Sequence, residues 1–430
     1  MKLKDIIEEY ISGDWGNEDF SPETPCAVYC VRGADIVPIS NDQFNDIPLR
    51  YVSKRTKDNK TLRAGDLVIE KSGGSPVQST GRITYISQEL IDSKQSVVCS
   101  NFCTSIRIKD SWNSKFIYYY WQYIYNSGVF FNFEGKTSGL KNLQFDNAIS
   151  SIDIPEYTLE QQTEIADILS KLESKMTVNR EINRNLEAMA RQLYDYWFVQ
   201  FDFPDENGRP YKSSGGKMVW NEKLKREIPE GWMSKMIRDM SEIQRESCTP
   251  NVSLDTIYHL FSIPAFDKTG AYVLESGTEI QSDKFVITKD DILISKLNPW
   301  TSRVVWCGDY PNQIASTEFV VLRPRIEDRG YLYMALKDPK LIAYASKGAT
   351  GTSNSHKRVN PEFLTAYRIP YEPSVVRKFS ESINSIQNQL LKNRNEINIL
   401  ITQREELLPL LINGQVSVMP TAVNCDLSHD

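Results

Sequence analysis

Two stretches carry side chains suited to gripping a phosphate-rich polymer. Lys71-Ser72-Gly73-Gly74-Ser75-Pro76-Val77-Gln78, with Arg82 just beyond, combines small, hydroxyl, amide and basic groups. Lys296-Leu297-Asn298-Pro299-Trp300-Thr301-Ser302-Arg303 has a similar make-up. Each is echoed later, by Gly135-Lys136-Thr137-Ser138-Gly139-Leu140-Lys141 and by Lys347 with Gly348 through Lys357. Glycine lets a backbone approach closely, hydroxyls and amides bond phosphate oxygens, and Arg, Lys, Asn and Gln can read base edges. Ordinary surface turns share this composition, so the loops alone leave both readings open.

Motifs for catalysis are incomplete. Gly135-Lys136-Thr137 resembles the end of a phosphate-binding P-loop, but Phe130 stands where the first glycine belongs. Asn298-Pro299-Trp300 lacks the second proline of an amino-methyltransferase tetrad, and no glycine-rich strand-turn-helix accompanies it. Asp66 with Glu70-Lys71 lacks the usual residue between acid and lysine of a metal-dependent nuclease. Cys26/Cys30 and Cys99/Cys103 share a spacing, yet structural zinc sites use tighter knuckles. Val97 to Cys103 reads as one strand, and the thiols as buried and free. No metal ligand set is expected.

The elements positioning these loops come in two rounds. Leu62 to Ile69 and Ile287 to Ile294 each read as a turn entering a strand just before the loop. Ser316 to Leu322 is a further strand, roughly matched by Ser100 to Ile106. Phe116 to Ser127 and Tyr331 to Ser346 read as helices. The predicted class is α+β, with two mixed heads.

After each head comes a long helical stretch, opened by Ile154-Pro155 and again by Ile369-Pro370. Thr158-Leu159-Glu160-Gln161 has the form of a capping box. Ile165, Ile168, Leu172, Lys175, Asn179, Ile182, Leu186, Met189, Leu193 and Tyr196 then step by three and four. Phe379, Ile383, Ile386, Leu390, Asn393, Ile397, Leu400, Arg404, Leu407 and Leu411 do the same, with Pro409 weakening the last step. Such repeats favour a coiled-coil seam. Domain–helix–domain–helix order suits an antiparallel pair, in which Asn179 and Asn393 could meet and pin register; two partly exposed polar residues are the alternative.

A chain of 430 residues, 40% hydrophobic and 25% charged, accommodates two such domains and is neither disordered nor membrane-like in composition. A net charge of −6 argues mildly against a stand-alone nucleic-acid binder, although Lys54-Arg55-Thr56-Lys57 with Lys60 and Arg63, and His356-Lys357-Arg358, are locally basic. Met1 to Gly16 lacks an apolar run of signal-peptide length, and seven scattered cysteines suit a reducing compartment. A cytoplasmic location is expected.

These residues together resemble a specificity (S) subunit of a type I restriction–modification system. The likeness spans nearly the whole chain. It is carried by Thr158 to Leu169, Asn185-Leu186-Glu187-Ala188-Met189-Ala190, Ile228-Pro229-Glu230-Gly231-Trp232, Gly73-Gly74-Ser75-Pro76, Ser295 to Pro299 and Ser316-Thr317-Glu318-Phe319. The first head has no obvious Pro-Glu-Gly-Trp opening. The resemblance implies two target-recognition domains (1–155 and 228–370), two spacer helices (156–200 and 371–415) forming an antiparallel coiled coil in a pseudo-twofold repeat, a linker (201–227) and a tail (416–430).

By the same resemblance, each domain reads one half of a bipartite site on double-stranded DNA. Two modification subunits, binding S-adenosylmethionine, methylate adenine, and restriction subunits supply ATP- and Mg-dependent translocation and cleavage; this chain itself binds no cofactor and does no chemistry. A methylation-only complex, or a coiled-coil scaffold without DNA specificity, are the alternatives. Geometry places two heads on one face of a duplex about one turn, roughly 10 base pairs, apart. The expected DNA-facing residues are Lys71, Ser72, Gly73, Gly74, Ser75, Gln78 and Arg82, then Lys136, Thr137, Ser138 and Lys141, in the first head. In the second they are Lys296, Asn298 and Arg303, then Lys347, Thr350, Thr352, Ser353, His356 and Lys357.

Overall fold

The computed structural model describes residues 1–73, 78–137, 140–252, 255–351 and 356–416. The chain forms two compact units, Met1–Arg180 with Glu396–Asp430, and Glu181–Asn395. Each unit therefore holds one head together with part of both long helices.

In the first unit a four-stranded antiparallel sheet has the order Ile7–Ser12, Cys103–Ile108, Leu67–Glu70, Ile83–Tyr85. Leu67–Glu70 is buried at every position, as an interior strand covered on both faces requires. A second sheet sets Cys26–Val31 between Leu49–Val52 and Val97–Cys99, and its pairing with Val97–Cys99 is parallel. Helix Ser114–Asn126 is capped by Asn113, whose Oδ1 accepts from the amides of Lys115 and Phe116, both at 3.0 Å. It packs Phe116, Tyr119 and Trp121 into a core shared with Ile165 and Leu169 of the first long helix and Leu408 and Leu411 of the second.

The second unit repeats the plan. Its antiparallel sheet runs Ser241–Gln244, Phe319–Pro324, Ile292–Ser295, Val304–Trp306, the same order with the same polarity. Its other sheet has five strands, and the parallel pair recurs as Ile257–Phe261 against Gln313–Ser316. The core is aromatic: Tyr194, Phe198, Phe201, Trp232, Tyr331 and Phe379 are all buried in it.

Several expectations are corrected. Val97 to Cys103 is two strands, not one, broken by a turn through Ser100 to Phe102 and closed by a 2.9 Å bond from Cys103 N to Ser100 O. Ser316 to Leu322 breaks in the same way, between Gln313–Ser316 and Phe319–Pro324. The helix expected from Tyr331 to Ser346 is two, Arg329–Leu336 and Pro339–Lys347, because Pro339 starts the second. The stretch 201–227 is no free linker: Phe201 and Phe203 are buried in the second unit's core, and Met218–Asn221 forms a hairpin with Arg226–Pro229.

The long helices run Leu159–Tyr194 and Pro373–Ile412, about 54 and 60 Å at 1.5 Å per residue. The capping box is present: Gln161 N donates to Thr158 Oγ1 at 3.3 Å and Thr158 N to Gln161 Oε1 at 3.0 Å. The second helix continues through Pro409 to Ile412. Within the first unit Glu173 pairs with Arg404 (3.8 Å) and Lys175 with Glu396 (2.5 Å). Within the second, Asn393 donates to Asn183 (2.8 Å), and Tyr194 packs edge-on to Phe379. Numbers rise on one helix as they fall on the other, so the pairing inside each unit is antiparallel.

Asn179 and Asn393 are both buried. Each is bonded within its own unit, Asn179 to Glu396 at 2.9 Å and Asn393 to Asn183. The seam of the second helix lies mostly where its repeat predicts, with Phe379, Ile383, Leu390, Asn393, Leu400 and Leu411 buried. The seam of the first drifts. Ile182 and Met189 are 40% and 55% exposed, while Ala190 and Tyr194 are buried instead. An α-helix rotates about 20° per heptad away from a strict seven-residue repeat.

Candidate nucleic-acid interface

In each unit the two predicted loops come together. In the first, Ser72–Gly73 pairs with the strand Leu140–Leu143, which pairs in turn with Glu134–Thr137. Leu143 N donates to Lys71 O at 2.7 Å, and Ser72 Oγ bonds Asn142 Oδ1. Gly73 has φ of +148°, and a Cβ there would meet the Glu70 carboxylate at 2.6 Å, so the turn out of the central strand requires glycine. In the second unit, Asn298 N donates to Lys357 O (2.7 Å), and Lys357 N to Asn298 Oδ1 (3.1 Å). Val359 N reaches Lys296 O at 3.0 Å, and Leu297 bridges to Arg358. Arg358–Val359 pairs in turn with Ala349–Thr350.

The basic side chains fall into two groups. Arg82 is held by Glu70, Nε to Oε2 at 2.8 Å and Nη2 to Oε1 at 2.7 Å, and also bonds Gly33 O. Those bonds to Glu70 raise its guanidinium pKa. Arg303 is gripped by Asp267 at 2.6 and 2.8 Å, and this arginine holds the Asp267 carboxyl below its ordinary pKa. Lys141 pairs with Glu134 at 3.2 Å and donates to Gln78 O at 3.3 Å. These three position the loops or are themselves positioned. Lys71, Lys296 and Lys357 are half-buried, whereas Gln78, Lys347, Thr350 and His356 are exposed. Lys136 and Thr137 lie in the strand Glu134–Thr137. Gly74, Ser75, Ser138, Thr352 and Ser353 lie outside the described residues.

The incomplete catalytic motifs are explained by structural roles. Asp66 binds Arg107 and Glu70 binds Arg82, so both carboxylates of the nuclease-like pattern are taken up by arginine. Gly135-Lys136-Thr137 sits in a strand rather than before a helix. Asn298, at φ of 49°, precedes a single turn Pro299–Thr301 and joins two loops. Cys26, Cys30, Cys99 and Cys103 are free thiols, and burial pushes Cys30 up to about 12 and Cys103 to about 11. Among the described residues no cluster of His, Cys, Asp and Glu is placed to hold a metal, and no helix is long and apolar enough to cross a membrane.

Sequence reasoning missed Phe102, Asn142, Asp267 and Glu318. Phe102 O accepts from both Lys71 N (2.8 Å) and Ser72 N (3.1 Å), and Glu318 O accepts from Lys296 N (2.8 Å). Glu318 also binds Arg358 Nε and Nη2 at 2.9 Å. Phe102 and Glu318 lie at breaks between two strands that the sequence does not mark.

The two heads share one four-stranded sheet order, and each presents a joined pair of loops rich in Lys, Asn, Ser and Thr. Residues 35–188 match the family described as the type I restriction modification DNA specificity domain. The chain is 23% identical to the type I restriction enzyme MjaIX specificity subunit of Methanocaldococcus jannaschii, over 97% of its own length and 93% of that protein. It is also 23% identical to the HindI specificity subunit of Haemophilus influenzae, over 66% of this chain and 73% of that one. The crystal structure of a type I restriction–modification S subunit from M. genitalium shares the fold, with TM-score 0.58 and 15% identity over 96% of this chain and 95% of that one. The chain is thus similar to the type I restriction–modification specificity subunits, in part of its sequence to their family and over nearly its whole length in fold.

Proposed function

We propose that this chain reads a bipartite site on double-stranded DNA and directs partner subunits to it. The carrying observation is repetition with divergence: one sheet order appears twice, with loops joined at equivalent places but bearing different side chains. Equal scaffolds bearing unlike loops suit recognition of two unlike half-sites. Phosphate contacts would set position on the duplex, and base contacts would set sequence.

Adenine methylation belongs, in this reading, to two modification subunits that carry S-adenosylmethionine. Cleavage belongs to restriction subunits using ATP and Mg. Asp66, Glu70 and Asn298, the residues nearest to catalytic motifs, are committed to ion pairs or loop closure, which supports a role in recognition rather than chemistry. Ile182, Met189 and Tyr196, seven residues apart and each more than a third exposed, offer an apolar stripe for a modification subunit. Such a complex would work in the cytoplasm.

A single-molecule methylation map of host DNA, with this chain present and then deleted, tests the proposal. Loss of one bipartite adenine-methylated motif is the expected result. An unchanged map, with the partner subunits expressed, would overturn it in favour of a scaffold.

A further inference from the structure

Phe102 and Glu318 occupy one and the same position of the repeated fold. In the first unit Glu70 pairs with Cys103, and in the second Ser295 pairs with Phe319. One residue further along the central strand lie Lys71 and Lys296; one residue back on its neighbour lie Phe102 and Glu318. The carbonyl of each accepts the amide of the facing lysine at 2.8 Å. In the first unit Ser72 N adds a second bond to Phe102 O. Both backbones are therefore held at the root of the joined loops.

Their side chains differ in kind. Phe102 is 56% exposed, and its carbonyl holds the amides of Lys71 and Ser72. Glu318 is closed onto Arg358 by hydrogen bonds of 2.9 to 3.2 Å. The same spot is apolar on one head and ionic on the other.

Within a stacked duplex the base faces are covered, and only edges are offered to a protein. In the major groove the apolar group on those edges is the 5-methyl of thymine, while other edges present donors and acceptors. A phenyl ring at a loop root matches that methyl and cannot satisfy the polar edges. A carboxylate–guanidinium pair has the opposite character. We propose that Phe102 is a specificity-determining residue of the first head, packing against the methyl group of one thymine, a contact that Glu318, closed onto Arg358, cannot make at the corresponding position of the second head. This rests on the DNA-reading function proposed above and adds to it a residue and a base.

The test uses the assembled complex of this chain with its modification subunits, bound to duplexes carrying the mapped site. Each thymine of both half-sites is replaced singly by uracil, which lacks only the methyl group. The wild-type complex should lose roughly fourfold in affinity at one thymine of one half-site, the worth of one buried methyl. Phe102→Ala should abolish that loss while leaving every other position unchanged, and Phe102→Leu should retain part of it. The inference is overturned if no thymine is sensitive, or if Phe102→Ala keeps the uracil penalty or weakens all duplexes alike. A wild-type complex that does not separate target from scrambled duplex would refute the DNA-reading function itself, and this inference with it. Because the ring is exposed and its backbone bonds need no side chain, matched melting curves for the variants are expected.

Discussion

Asp66 and Arg107 form a two-pronged ion pair inside the first head, with Nε to Oδ1 at 2.9 Å and Nη2 to Oδ2 at 2.8 Å. Asp66 also accepts the amide of Arg63 at 2.7 Å, closing the turn that enters the central strand. The second head repeats every part. Asp291 accepts from Arg323 at 2.8 and 2.9 Å and from the amide of Thr288 at 2.7 Å. Each aspartate is almost wholly buried. The pair ties the central strand to the neighbouring strand that begins next to Phe102 or Glu318, so it sets where the loop roots lie.

Removing one member of such a pair strands the other. Asp66→Ala leaves the largely buried Arg107 with only the more exposed Glu9 and frees the Arg63 amide. We expect a loss of about 3 kcal/mol in unfolding free energy. Urea unfolding followed by circular dichroism measures it, and a loss under 1 kcal/mol would mean the pair contributes little to holding the strand.

Reading the sequence worked where the physics is local. The Thr158–Gln161 capping box was legible because its four residues suffice to make it. The Asn298–Lys357 junction was not legible, since its partners are distant in the chain. The turn at Ser100 to Phe102 contains neither glycine nor proline and lies between apolar strands, so it reads as continuous strand. In 201–227, proline and glycine signalled a linker while Phe201 and Phe203 carried the decisive apolar area. The drift that leaves Ile182 and Met189 outside was not legible in the three-four spacing, which a straight helix and a coiled-coil seam share over a few turns.

That drift has a consequence for assembly. Met189 is 55% exposed on the helix, so Met189→Asp should leave the melting temperature nearly unchanged. Co-purification with the modification subunits should fall at least tenfold if the Ile182–Met189 stripe is their docking face. Unchanged recovery of the complex would place the docking face elsewhere.

Glu396 links pH to helix pairing. Its carboxylate is held below the ordinary glutamate pKa by hydrogen bonds from Lys175 first and Asn179 second. A depressed folded pKa means that the contribution is present above the unfolded value and is lost as pH falls through the folded one. The pairing should therefore be insensitive to pH near neutrality and weaken on acidification below about pH 4.5. Carboxyl-carbon NMR titration of Glu396 should give a pKa under the usual value, and Lys175→Ala should move it back up.

Lys357 offers the clearest separation of position from sequence. Its backbone is clamped by Asn298 on both sides, which fixes the root from which the side chain extends. Lys357→Ala removes a charge and keeps the clamp, so binding of target and random duplex should weaken together. The slope of log affinity against log salt should fall by about 0.9, the counterion equivalent of one phosphate contact. Asn298→Ala keeps the charge and the backbone bonds between the loops but removes the Oδ1 acceptor of Lys357 N and puts alanine in left-handed backbone, so discrimination within the second half-site should relax with little change in that slope. Binding isotherms at four salt concentrations, on target and scrambled duplexes, read both quantities. If Lys357→Ala relaxed one base position while sparing the salt slope, the lysine would be a base reader instead.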